Sequence, residues 1–239
     1  MVQRPEASSF AAGALVFPGG AVHEEDAAAA MHARCRGLAA LDPVLAPAAV
    51  GAIRESFEEC GILLARRGGA DGLVHGADHA ALVERYQAAV AAHPAAWLDM
   101  LVAEDLALAC DQLVPFAHWI TPEGRPKRFD TRFFVAPAPA GQLAAHDRRE
   151  AVEALWLPPA DIVRDADAGR YRVVFATRMN LLRLAGSATV EAALSVARAA
   201  SIVTVTPRLE TRPDGPVLCI PLAAGYGVEA VPAGNIPRA

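Results

Sequence analysis

Three glutamates follow an arginine in one short run of the sequence, R-E-S-F-E-E-C-G at positions 54–61. At about 100° per residue, a helix through this run places Glu55, Glu58 and Glu59 within an arc of roughly 100°. Coulomb repulsion between like charges ~6 Å apart is roughly 1 to 3 kcal/mol near a protein surface, so something should offset it. Mg²⁺ and Mn²⁺ prefer carboxylate oxygens and offset such repulsion directly. The spacing therefore indicates a divalent-metal site on one flank of a helix.

The other interpretation of this run is an ordinary solvated acidic helix face, with Arg54 pairing with Glu58 at i,i+4. The opposite side of the helix carries apolar residues that suit a core, namely Val50, Ile53, Phe57 and Cys60. Cys60 has no histidine partner in sequence, so a small buried side chain is its expected role. The combination R-E-x-x-E-E-x-G arises by accident in a chain of this length with a probability on the order of 10⁻⁴, which favours the metal site.

The elements that must position this run are read from apolar periodicity and turn residues. Residues 14–17 are expected to form a strand that stops at Pro18, Gly19 and Gly20, and residues 50–60 a helix that stops at Gly61. Two amphipathic helices are expected within 78–111, broken near His93 and Pro94. Further strands are expected at 62–65, 116–121, 128–135, 153–157, 202–205 and 217–220, and further helices at 160–166, 178–184 and 190–199.

The acidic run at positions 54–61 resembles the signature of the Nudix hydrolases, G-x5-E-x7-R-E-U-x-E-E-x-G-U, where U is a bulky apolar residue. The second half matches at positions 54–62, with Ser56 where an apolar residue is usual. In the first half, Gly20 is followed after five residues by Asp26 instead of glutamate, and the next spacer has 27 residues instead of seven. An enlarged spacer resembles the branch related to peroxisomal coenzyme A diphosphatase. A later segment, R-F-D-T-R-F-F at 128–134, is also similar to that branch.

The resemblance implies roles for particular residues. Glu55, Glu58 and Glu59 would be catalytic and would hold Mg²⁺ or Mn²⁺, with Glu55 a ligand or the proton acceptor, and the backbone carbonyl of Gly19 would complete the metal shell. Arg54 would support catalysis by orienting a glutamate through a salt bridge. Asp26 is a candidate replacement for the missing glutamate. The proton acceptor stays open, and further candidates for it are Asp147, Glu150 and Glu153.

The same resemblance implies the reaction, which is attack by water on a phosphorus of a diphosphate to give two monophosphates. The expected substrate is a nucleoside diphosphate derivative, with coenzyme A or acyl-CoA leading. Arg128 and Arg132 are candidate substrate-binding residues, although positions 128, 130 and 132 also suit the solvent-facing side of a strand. For His118 and Trp119 a satisfied histidine and a packed aromatic are expected. A noncatalytic Nudix-fold module that binds a nucleotide is the alternative function.

The expected fold is of the α/β class, a Nudix-type α/β/α sandwich around a mixed sheet with helical insertions. Residues 1–239 are expected to form a single domain, with insertions at about 27–49 and 66–112. Hydrophobic residues make up 54% of the chain and charged residues 21%, which suits a sizeable core. The net charge of −5 disfavours general nucleic-acid binding. Oligomers are possible, because the helical insertion offers a partner surface.

The cysteines, the apolar stretches and the terminal residues indicate the expected cellular compartment. Four cysteines lie far apart without a C-x-x-C pair, so neither a zinc knuckle nor a disulfide framework is indicated. No uncharged stretch reaches the roughly 18 apolar residues of a spanning helix, so no membrane segment and a cytoplasmic protein are expected. The terminal tripeptide P-R-A does not match a peroxisomal signal. The opening residues M-V-Q-R resemble the end of a strand, which suggests that preceding sheet residues are missing.

Overall fold

The computed structural model describes residues 1–6, 11–124, 127–142 and 153–233, apart from the side chain of Glu153. The strands are β1 (Val2–Gln3), β2 (Leu15–Val16), β3 (Cys35–Arg36), β4 (Ala65–Arg67), β5 (Leu106–Ala109), β6 (Val114–Ile120), β7 (Asp130–Val135), β8 (Glu153–Ala154), β9 (Thr204–Val205), β10 (Arg208–Arg212), β11 (Gly215–Cys219) and β12 (Ala230–Pro232). The α-helices are α1 (Ala29–His32), α2 (Ala46–Cys60), α3 (Gly76–Ala92), α4 (Ala95–Ala103), α5 (Pro159–Asp167), α6 (Phe175–Ala185) and α7 (Val190–Ala199). Helices combined with mixed and antiparallel sheets confirm the α/β class.

Backbone proximity divides the chain into two compact units. The first unit consists of Met1–Pro5, Phe17–Leu113 and Ala136–Leu155. The second unit consists of Glu6–Val16, Val114–Val135 and Trp156–Ala239. The expectation of one domain with insertions stays a prediction.

A three-stranded mixed sheet in the first unit has β5 at its centre. β5 runs parallel to β3, with Cys35 opposite Leu108, and antiparallel to β4, with Arg66 opposite Ala107. Elsewhere in this unit β1 pairs antiparallel with β8. Residues 66–112, which were expected as an insertion, therefore contribute sheet strands as well as the helices α3 and α4.

Helix α2 carries the acidic run and packs its apolar side inward, as its period predicts. Val50, Ile53 and Phe57 are fully buried, and the Phe57 ring lies 5.7 Å from the ring of Trp97 on α4. The helix begins four residues earlier than expected, because Pro47 lies in its first turn, where a missing N–H costs nothing. It ends where expected, at a left-handed Gly61 with φ of 68°.

In the second unit, β6 is the central strand of another mixed sheet. It pairs antiparallel with β7, so the strands expected at 116–121 and 128–135 form a hairpin, and it pairs parallel with β9. One face of this sheet packs into a core that includes Trp119, Phe175 and Leu194. The strands β10, β11 and β12 form a separate antiparallel sheet.

The strand expected at 62–65 is wrong in its position, since β4 begins only at Ala65. The reason is that the Leu63 backbone is already satisfied by the side-chain amide of Gln142. Leu63 N–H donates to Gln142 Oε1 at 2.9 Å, and Gln142 Nε2 donates to the Leu63 carbonyl at 2.9 Å. The helix expected at 190–199 has those bounds, and the two helices expected within 78–111 are α3 and α4.

Candidate functional site

The candidate site lies in the first unit, where the loop after β2 meets the last two turns of α2. The loop carries Gly19 and Gly20 and reaches Asp26 in a short 3₁₀ turn, Glu25–Ala27. Gly51 on α2 makes room for this turn, because a Cβ there would lie 3.1 Å from Asp26 Oδ2. The loop and the helix therefore approach closely at two glycines, Gly20 and Gly51.

Arg54 joins this loop to the helix through its guanidinium group. Its Nε donates to Asp26 Oδ1 at 3.1 Å and its Nη2 to Asp26 Oδ2 at 3.0 Å. Nη2 also donates to the carbonyl of Ala21 at 2.8 Å. Asp26 Oδ2 in turn accepts from the backbone N–H of His23 at 2.9 Å. Asp26, which stands where the family signature has a glutamate, therefore forms a two-point ion pair with Arg54.

The same guanidinium holds two of the three glutamates. Arg54 Nη1 donates to Glu55 Oε1 at 3.0 Å and to Glu58 Oε1 at 2.9 Å. Burial alone disfavours the charged guanidinium, but the hydrogen bond and charge of Asp26, with Glu55 and Glu58, raise the pKa of Arg54 above its ordinary value. Arg54 is thus a permanent cation that gathers one oxygen from each of these carboxylates.

The Gly-Gly turn lies directly against two of the carboxylates. The backbone N–H of Gly19 donates to Glu59 Oε2 at 3.1 Å. At Gly20 a Cβ would come within 2.4 Å of Glu55 Oε1, so only glycine leaves the Glu55 carboxylate in this place. Glu55 and Glu59 therefore lie beside the Gly19-Gly20 turn in the structure.

The solvated acidic face that the run also allowed is not what the structure shows. Asp26, Arg54 and Glu59 are at most 2% exposed, Glu55 is 6% exposed and the Glu58 side chain 15%. Burying this many charges is costly unless they are paired and hydrogen-bonded, and the ion pairs of Arg54 supply part of that pairing. The i,i+4 pair of Arg54 with Glu58 exists, but within a buried network.

The donor set of this network suits a hard divalent cation, because carboxylate oxygens are the preferred ligands of Mg²⁺ and Mn²⁺. In the ranges the structure describes, no three His, Cys, Asp or Glu side chains converge as a ready-made metal site. Arg54 engages Oε1 of Glu55 and Oε1 of Glu58, and Glu59 faces Gly19. The carboxylate oxygens and the adjacent Gly19-Gly20 turn fit such an ion. The ligand roles of Glu55, Glu58, Glu59 and the Gly19 carbonyl stay predictions.

Helix α3 supports the last turn of α2, a contact that no local sequence pattern indicates. Gln87 Nε2 donates to the carbonyls of Phe57 and Glu58 at 3.1 and 3.0 Å, and His79 Nε2 lies 2.6 Å from the Gly61 carbonyl. The Glu58 carbonyl lies in the last turn, where a helix leaves carbonyls without intrahelical partners, whereas the Phe57 carbonyl also accepts from the Gly61 N–H at 2.9 Å. No local pattern marks Gln87 for this role, whereas Asp26 could be found from its five-residue spacing after Gly20.

The candidate substrate-binding arginines belong to the second unit. Arg132 lies on β7, where its Nη1 donates to Asp130 Oδ1 at 2.9 Å. Arg128 precedes β7, and its Nε donates to the Thr121 carbonyl at 3.0 Å. Trp119 is buried in the core, as expected for a packed aromatic. The substrate-binding roles of Arg128 and Arg132 stay predictions.

Two of the candidate proton acceptors, Asp147 and Glu150, lie outside the described residues, as does the side chain of Glu153. The proton acceptor therefore remains open among Glu55 and these three. In the part of the chain that the structure describes, no helix is both long enough and apolar enough to cross a membrane.

Comparisons with known proteins relate the chain to Nudix hydrolases. A family model described as NUDT19 Nudix domain matches residues 43–172, more than half of the chain. The chain is 28% identical over 174 residues to "Putative nudix hydrolase 7" of Caenorhabditis elegans, a match that covers 72% of this chain and 50% of that protein. The chain thus spans about half the length of this curated relative. The crystal structure of a NUDIX hydrolase from Alicyclobacillus acidocaldarius is similar, with a TM-score of 0.69, 30% identity, and coverage of 81% of this chain and 86% of that one.

Proposed function

The chain belongs to the Nudix hydrolase family, and on that premise we propose that it hydrolyses the diphosphate bond of a nucleoside diphosphate derivative with the help of Mg²⁺ or Mn²⁺. Nudix hydrolases generally use divalent metal ions and act on small nucleotide-type substrates. The observation that carries the proposal is the buried network in which Arg54 binds Glu55 and Glu58, while Glu55 and Glu59 lie against the Gly19-Gly20 turn. Two monophosphates would be the products.

The three glutamates would hold the cation, and the cation, when bound, would neutralise charge on the phosphoryl oxygens and lower the pKa of water. Arg54 would act as a positioning residue, since it binds the carboxylates of Glu55 and Glu58 and is itself buried. Asp26 would hold Arg54 in that position from the loop side. The arrangement would thereby place three anionic side chains where a diphosphate approaches with its metal.

Coenzyme A or acyl-CoA is the leading substrate. It is supported by the long spacer within the signature, by the R-F-D-T-R-F-F segment and by the NUDT19 model, which belongs to a branch related to coenzyme A diphosphatase. Arg128 and Arg132 within that segment are the proposed contacts to substrate phosphates. The proposed compartment is the cytoplasm.

The experiment is a substrate panel with Mg²⁺ or Mn²⁺, containing coenzyme A, an acyl-CoA, NADH, ADP-ribose and a diadenosine polyphosphate. Release of monophosphates from at least one member is expected, with coenzyme A or the acyl-CoA as the fastest. Turnover of another member alone would reject the coenzyme A assignment. No release of monophosphates from any member, together with tight nucleotide binding, would favour the noncatalytic module.

A charge-neutral variant tests the acid cluster itself. Glu58→Gln is expected to lower turnover by on the order of 10³ while the protein stays folded, because a metal-binding charge is lost. The matched control is Glu84→Gln, which makes the same change at an exposed position on α3. Equal turnover of the two variants would remove Glu58 from the metal site.

A further inference from the structure

A transverse row of polar side chains crosses the three-stranded sheet of the second unit. His118 on the central strand β6 is in register with Arg132 on β7 and with Thr204 on β9. Residues in register across a sheet point to the same face. The neighbouring residues on β6, Ala117 and Trp119, belong to the buried core on the other face. The row Arg132, His118 and Thr204 therefore lies on the face away from that core.

Hydrogen bonds link this row through Asp130. His118 Nε2 lies 2.6 Å from Asp130 Oδ1, and Arg132 Nη1 donates to that same oxygen at 2.9 Å. On the other side of the ring, His118 Nδ1 lies 2.8 Å from Thr204 Oγ1. Both ring nitrogens of His118 are thus engaged, and the imidazole is held in one orientation.

The chemistry of these groups decides where the protons are. An ionised carboxylate only accepts, so His118 Nε2 carries a hydrogen and donates it to Asp130. In the neutral ring, Nδ1 accepts from the Thr204 hydroxyl, which directs its hydrogen at the ring. In the imidazolium, Nδ1 donates to Thr204 Oγ1, and the hydroxyl hydrogen turns outward. Protonation of His118 therefore converts Thr204 into a donor for a ligand.

We propose that Arg132, His118 and Thr204 form an anion-binding site for a phosphate monoester, with Asp130 as the positioning residue; this deepens, and rests on, the role of Arg132 as a substrate-phosphate contact in the proposed function. Arg132 supplies N–H groups beyond the one used by Asp130, and the guanidinium fork matches phosphate oxygens. Thr204 supplies the outward hydroxyl once the ring is protonated. The Arg132 side chain is 27% exposed and Thr204 lies at the surface, so a ligand reaches both.

Charge supports an anion at this place once His118 is protonated. The charged groups that face His118 are Asp130 and Arg132 on β7, while the described residues of β9, Thr204 and Val205, carry none. Helix α7 packs against β6 through Leu194 and Ala197 in the core, on the opposite face. The guanidinium of Arg132 supplies positive charge for an anion, and an imidazolium at His118 would add to it.

The test reads the imidazole directly by long-range nitrogen NMR of the whole protein, with His118→Gln identifying its signals among the seven histidines. Addition of inorganic phosphate, or of glycerol 3-phosphate, at constant pH is expected to shift the His118 ring signals saturably. Glycerol and chloride at matched ionic strength should leave them unchanged. Signals that do not move with either phosphate would overturn the site. Because the readout is at His118, it is independent of hydrolase activity.

Matched variants separate a built site from general charge attraction. Arg132→Gln is expected to weaken phosphate binding roughly tenfold, whereas Arg208→Gln on the exposed strand β10 removes the same charge without effect. Thr204→Val keeps the side-chain shape but removes the hydroxyl, and should weaken binding, while Thr204→Ser should retain it. Unchanged affinity in both Arg132→Gln and Thr204→Val would reject the proposal.

Discussion

Asp26 and Arg54 form a two-point ion pair in which both side chains are almost completely shielded from solvent. The two contacts measure 3.1 and 3.0 Å, and the residues lie 28 positions apart in the chain. Because Arg54 also binds Glu55 and Glu58, the pair connects the loop after the Gly-Gly turn to the acidic flank of α2. The position of the acids therefore depends on a residue that lies outside their helix.

The first prediction concerns the stability that this pair supports. Asp26→Asn should lower the free energy of unfolding by about 3–5 kcal/mol, because it removes the carboxylate charge that binds the buried guanidinium at two points. Asp105→Asn is the control, since Asp105 pairs with Arg34 at 3.1 Å but is 75% exposed. That change should cost less than about 1 kcal/mol. Urea denaturation measures both, and equal losses would contradict the buried role of Asp26.

The second prediction concerns the close approach at Gly20. Gly20→Ala should lower turnover about 10²-fold with little loss of stability, because the new Cβ displaces only the flexible end of Glu55. Gly72→Ala is the matched control, because a Cβ at Gly72 would meet nothing within 4 Å. Kinetics with the best substrate of the panel, together with melting curves, measures both effects. Normal turnover in Gly20→Ala would show that the position of Glu55 is not critical.

The third prediction concerns the metal, independently of turnover. Mg²⁺ or Mn²⁺ should raise the melting temperature, since a ligand at 100 times its dissociation constant stabilises the native state by about 2.7 kcal/mol. Glu59→Gln should reduce this rise, because an amide oxygen still accepts from Gly19 but carries no charge. Glu84→Gln should behave as the wild type. Calorimetry with and without the cation decides, and an identical response of Glu59→Gln would exclude Glu59 as a ligand.

The fourth prediction concerns how the free energy of unfolding changes at low pH. Arg66 donates to both oxygens of Asp111 at 2.6 and 2.7 Å, and this hydrogen-bonded pairing lowers the pKa of Asp111 below its ordinary value. A lowered folded-state pKa adds stability that is fully present above the ordinary pKa of aspartate, about 3.9, and is lost as the pH falls through the folded value.

Wild type should therefore be more stable than Asp111→Asn at neutral pH, by at most about 1 kcal/mol because the aspartate is partly exposed. The difference should shrink as the pH falls below about 4. Urea denaturation along a pH series measures it. A difference that stays constant down to strong acid would show that the Arg66 pair does not depend on the charge of Asp111.

Local sequence patterns predicted the helices and strands well where the apolar period and the glycines and prolines that end an element agree. The apolar period of 50–60 and the glycine that follows it were enough for the main part of α2 and its end, and 190–199 for α7. The β character of 116–121 and 128–135, with Pro122, Gly124 and Pro126 between them, predicted the hairpin of β6 and β7. The strand at 62–65 was misplaced, because the partner of Leu63 is Gln142, 79 positions away. A backbone partner of that kind leaves no local signal.

The amino-acid sequence by itself determined that three glutamates share one helical flank, since helical period is a property of consecutive residues. It also determined the family, because the signature is a run of residue types. Only the tertiary structure decided that these acids are buried and not solvated, that Asp26 binds Arg54, and that Gln87 supports the end of α2. Those outcomes depend on distant segments packing against α2, and the free energy of that packing belongs to the whole fold and not to any short stretch of chain.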